Sequence, residues 1–146
     1  MLIALVACGD DGTSPNDYSK YKCKAPSTDL PNGNHNPGMD CQGSCHDHGF
    51  TIAGTVFTDG TGTTPAVGAT VNVYDGAQTL SMITATNGNF YTKSAVKLPF
   101  QVWVSSCPSV EIMPDSVDTN TGLGASCNQG ICHNNGAGTG VITLNQ

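Results

Sequence analysis

The sequence predicts a mainly β protein: a small β-sandwich with loop-rich segments on either side and an irregular N-terminal tail. Three observations carry this prediction. Charged residues make up only 11% of the 146, while Gly (18), Thr and Asn are abundant, a composition of turns and polar strand faces. Apolar and polar residues alternate through Ala69-Thr70-Val71-Asn72-Val73-Tyr74, as on a half-buried strand. Turn chemistry recurs at short intervals and cuts the centre of the chain into several short strands, the pattern of a sandwich.

Taken in order, Thr51 to Phe57 reads as the first strand and Asp59 to Thr64 as a polar Gly/Thr loop. Ala69 to Tyr74 is the second strand and Thr79 to Thr86 the third. Asn87-Gly88 predicts a hairpin turn, because Gly accepts positive φ, and Asn89 to Thr92 returns from it. Pro99 to Val104 follows, with Val102 and Val104 on one face and Trp103 on the other; Gly140 to Leu144 is the last strand. Gly54-Thr55-Val56, the run Pro65 to Tyr74 and the run Thr86 to Phe90 resemble carboxypeptidase-regulatory-like, transthyretin-like domains, across about Thr51 to Ser105. The resemblance implies a transthyretin-like/Ig-like sandwich acting as a passive binding or spacer module, which by itself assigns no function.

A chain of this length holds one compact domain, or one small domain with tails, and its thin core calls for covalent or cofactor staples. The net charge of −6, with five Lys and no Arg, excludes nucleic acid, which needs clustered cations. The same acidity favours solubility and repels anionic membranes. At the N-terminus, Leu5-Val6-Ala7-Cys8 resembles a bacterial lipobox, which implies lipidation at Cys8 and an exported protein. The apolar run before it is short for a signal h-region, so a natural start further upstream is expected; the competing reading is a short apolar start with an incidental Cys. No segment is long enough to span a membrane, so membrane association is expected only through that lipid.

The seven cysteines are 8, 23, 41, 45, 107, 127 and 132, an odd number that needs an account. Two pairs are each followed at once by His: Cys41-Gln42-Gly43-Ser44-Cys45-His46 and Cys127-Asn128-Gln129-Gly130-Ile131-Cys132-His133. The common haem-attachment motif is C-x-x-C-H. These C-x3-C-H and C-x4-C-H versions resemble the lengthened motifs of multihaem c-type cytochromes. The resemblance implies two covalent haem c groups, each held by two thioethers, with His46 and His133 as proximal iron ligands. Gly43 and Gly130 lie where the extra residues must bulge. The other two histidines, His35 and His48, then supply one distal nitrogen to each iron. His48 is two residues from His46 and cannot reach the opposite face of the same macrocycle. It is therefore assigned to another haem, on Cys127 and Cys132 or on a neighbouring subunit, and His35 to the remaining iron. Met39, Met82 and Met113 are the alternative distal donors. Setting aside Cys8 and the four haem cysteines leaves Cys23 and Cys107 to form a disulfide.

On this reading the chain divides into a lipobox-like start and polar tail (1–30), a first haem-binding segment (31–50), the sandwich (51–106), and a second haem-binding segment with the final strand (107–146). The sandwich is the frame that brings together motifs 86 positions apart (Cys41 to Cys127). The expected function is outer-sphere electron transfer through bis-His haems, with other cytochromes or redox proteins as partners. The carrier is periplasmic or on the cell surface, and is either discrete or polymerised into an extracellular filament. Competing readings are a zinc site, a non-redox adhesion or binding module whose cysteines form disulfides, and a haem enzyme with an open iron. Zinc and plain disulfides leave His directly after the second Cys unexplained in both motifs. No nucleophile–base pair remains for hydrolysis once each His is assigned to iron.

Overall fold

The computed structural model describes residues 21–33, 36–39, 48–114, 116–117, 127, 133–134, 137–138 and 141–145. Every regular element among them is a strand: β1 (Ile52–Phe57), β2 (Thr70–Tyr74), β3 (Thr79–Ile83), β4 (Asn89–Thr92), β5 (Gln101–Ser106), β6 (Ser109–Ile112), β7 (His133–Asn134), β8 (Ala137–Gly138) and β9 (Ile142–Thr143). They form a three-stranded sheet ordered β4-β1-β9, a four-stranded sheet ordered β3-β2-β5-β6, and a short β7-β8 ribbon. The arrangement is sandwich-like, as the sequence predicts. No helix among the described residues is long and apolar enough to cross a membrane.

Alternation decides what enters the core. Val71 and Val73 of β2 and Val104 of β5 join Ile52, Val56, Phe90, Phe100 and Leu144 in one buried cluster, with Val102 packed against it. Trp103 takes the opposite face, as the pattern requires, yet it is only 4% exposed. The ring of Tyr21 covers it edge-on at 5.1 Å. The segment carrying Tyr21 is fastened by the Cys23–Cys107 disulfide, with Cα atoms 5.3 Å apart, so the expected pairing is present. It is fastened again where Cys107 N–H donates to Lys24 O (2.9 Å) and Ser27 N–H to Gly68 O (2.8 Å). The β2–β3 turn is closed by Asp75, whose carboxylate accepts N–H groups from Gln78 (2.9 Å), Ala77 (3.0 Å) and Lys97 (3.2 Å).

Two expectations are corrected. The Asn87-Gly88 turn exists, with Gly88 at φ +79° and Gly88 N–H bonded to Ala85 O, but it does not join a hairpin. β3 pairs with β2 in one sheet and β4 pairs with β1 in the other, so the turn is a corner between layers. Docking onto β1 decides this: Val56 N–H donates to Gly88 O at 3.0 Å, and a Cβ on Gly88 would collide with Val56 O. The second correction is β6, absent from the sequence reading, which pairs with β5 from Trp103↔Ile112 to Ser106↔Ser109. Its SVEI sequence is short and only half apolar, and it follows a Cys-Pro turn that breaks the pattern.

Candidate functional site

The candidate site gathers along one strand. β1 pairs antiparallel with β4 from Ile52↔Thr92 to Thr55↔Asn89, and parallel with β9 at Val56↔Ile142 and Phe57↔Thr143. Leu144, fully buried, follows β9 and donates its N–H to Phe57 O at 2.8 Å. The second Cys/His segment ends here. It begins on the same strand: Cys127 N–H donates to Ala53 O at 2.7 Å. Ala53 and Val56 are three residues apart, about 10 Å of strand. Both ends of the second motif segment are thus fixed side by side on β1.

The first motif segment is bracketed in the same way. Gly38 N–H donates to the buried Thr55 hydroxyl at 2.8 Å, and that hydroxyl in turn donates to Asn89 Oδ1 at 2.6 Å. On the other side of the motif the chain runs through His48 directly into β1. One six-residue strand therefore fixes the ends of both Cys/His segments.

Within the second motif the described atoms close a loop. His133 N–H donates to Cys127 O at 3.0 Å, which draws the first cysteine and the histidine of the motif together along the backbone. His133 then opens the β7-β8 ribbon, opposite Gly138. Cys127 is half-buried and packs against the hydrophobic core. A cysteine packed against the apolar core, with the histidine of the same motif joined to it through the backbone, is compatible with a thiol-tethered haem. Cys41, Cys45, His46, Cys132, His35 and Cys8 lie outside the described residues, and no cluster of three or more His, Cys, Asp or Glu able to hold a metal occurs among the described ones. Of the alternative sulfur donors, Met82 is 7% exposed and belongs to the core, whereas Met39 is 59% exposed. Met113 continues the β5–β6 ladder through its N–H to Val102 O.

His48 has neighbours that the sequence reading did not single out. Its ring lies parallel to that of Phe50 (5.1 Å between centroids, 8° between planes), and Phe50 stacks on Tyr91 (4.6 Å, 24°). The Lys93 ammonium stands 5.6 Å from the Phe50 centroid. The His-Gly-Phe spacing was a visible signal for half of this stack. Tyr91 comes from β4, and only the strand register reveals it. Comparison with protein-family models, with curated proteins and with solved structures finds no match to this chain.

Proposed function

We propose that the protein is a di-haem c-type cytochrome, an exported carrier that passes single electrons. The observation supporting this most is where the two Cys/His segments are bounded: the described residues at their ends, Gly38, Cys127 and Leu144, bond to the same short strand, although the two motifs are far apart in sequence. A haem group, when bound, supplies a one-electron iron(III)/iron(II) couple. The chain's own residues do the rest. Cys41 with Cys45, and Cys127 with Cys132, are the tethers. His46 and His133 are the proximal donors, and His35 and His48 the distal ones. An all-imidazole donor set leaves no open position for substrate, which restricts the chemistry to outer-sphere exchange with redox partners. It also favours a lower potential than a His/Met set. The Cys23–Cys107 disulfide agrees with an oxidising, exported compartment, where a lipid on Cys8 would act as the anchor.

The test is expression in a host with cytochrome-maturation machinery. The purified protein is expected to be red, with a Soret band, and heavier than the polypeptide by two haems. A colourless product of bare polypeptide mass, with Cys41, Cys45, Cys127 and Cys132 in disulfides, would instead establish the non-redox binding module.

A further inference from the structure

We propose that Phe50 and Tyr91 are positioning residues for His48, setting the plane in which its imidazole meets iron; this rests on the di-haem reading above. The argument starts from the backbone. His48 precedes the sheet and belongs to no strand of its own. An imidazole on such a segment has two torsions to settle, and an axial ligand needs both settled before the metal arrives. The stack supplies the restraint in a chain of contacts. The β1–β4 register places Tyr91 opposite Ala53. Tyr91 holds the Phe50 ring from one side at 4.6 Å, and Phe50 holds the His48 ring at 5.1 Å in a nearly parallel plane. Lys93, two residues beyond Tyr91, adds a cation near the Phe50 ring. Gly49 makes the close parallel approach of its two neighbours possible: its φ of +61° is a left-handed conformation that L side chains avoid. A Cβ at Gly49 would meet nothing within 4 Å, so any effect of Gly49→Ala reports the backbone angle and not a clash.

The contacts are between side chains of known orientation, and they end on one of the two histidines assigned to distal ligation. Tyr91 is 42% exposed, so the stack is not a by-product of core packing. Its rings run from the first motif segment to the outside of β4, and His48 brings an imidazole donor to one end of it.

The experiment uses the matured holoprotein and reads the electron paramagnetic resonance and visible spectra of the oxidised form. His48→Ala should convert one of the two haems from a six-coordinate low-spin to a high-spin signal, a loss of half of the low-spin intensity. Phe50→Leu and Gly49→Ala should shift the low-spin signal of that same haem and leave the other unchanged, with both haems still covalently attached. Phe50→Tyr, which keeps a flat ring, should restore the wild-type signal. Tyr91→Leu, on the exposed side of the stack, gives the same readout should Phe50→Leu fail to fold. A haem-loaded His48→Ala protein with both low-spin signals intact would overturn this inference and leave the di-haem reading standing. So would a His48→Ala effect without any response to Phe50→Leu, Gly49→Ala or Tyr91→Leu. A protein that carries no haem would overturn both.

Discussion

At Asp75 three backbone N–H groups converge on one carboxylate, and this has a consequence in acid. The bonds from Gln78 and then Ala77 favour the ionised form and lower the pKa to about 2. An unfolded Asp titrates near pH ~3.9. The stabilisation is therefore complete above that value and is lost as the pH falls through about 2. Asp75→Ala is expected to lower the urea midpoint at neutral pH, and the gap to the wild type should close as acid is added; a gap that stays constant across this range would contradict the assignment. At the candidate site, His133→Ala should open one iron, so that about half of the reduced haem binds carbon monoxide, where the wild type binds none. The Cys-Cys-His runs are visible in the sequence because the proposed tethering and ligation would need those atoms close along the chain. Phe50 and Tyr91 were not, because their meeting depends on a register between strands separated by more than thirty residues.

Among the elements, the corner between β3 and β4 is the most exacting. Gly88→Ala meets both a positive φ and the Val56 carbonyl, and is expected to cost about 1–3 kcal/mol in chemical denaturation. Pairing Cys23 with Cys107 closes a chain separation of 84 residues. In the loop-entropy model this is worth about 4.5 kcal/mol, so a Cys23→Ser/Cys107→Ser double variant should lose a comparable share of its unfolding free energy. It should also leave the Trp103 face more accessible, seen as a red-shifted Trp emission, since Tyr21 is carried by the same segment. The sequence pattern located β1, β2 and β5 because each alternates or runs apolar over five or six residues. It misread the Asn87-Gly88 corner because turn chemistry is local, while the choice of sheet partner is made by docking on β1. The two-residue strands β7 and β8 are too short to leave any periodic signal.

For the molecule as a whole, the sandwich reads as a frame whose central strand carries both Cys/His segments. With two haems on so small a protein, both would lie near the surface, suited to handing electrons onward. A discrete carrier predicts isolated particles in negative stain. Filaments would instead assign a distal histidine, His35 or His48, to a neighbouring subunit, and His35→Ala would then loosen assembly without removing either haem. The central claim is the haem content itself. A pyridine haemochrome assay against protein concentration, on material matured in a cytochrome-competent host, measures it directly. The account predicts two haem c groups per chain, resistant to acid–acetone extraction; a stoichiometry of zero, or haem that extracts freely, would contradict it.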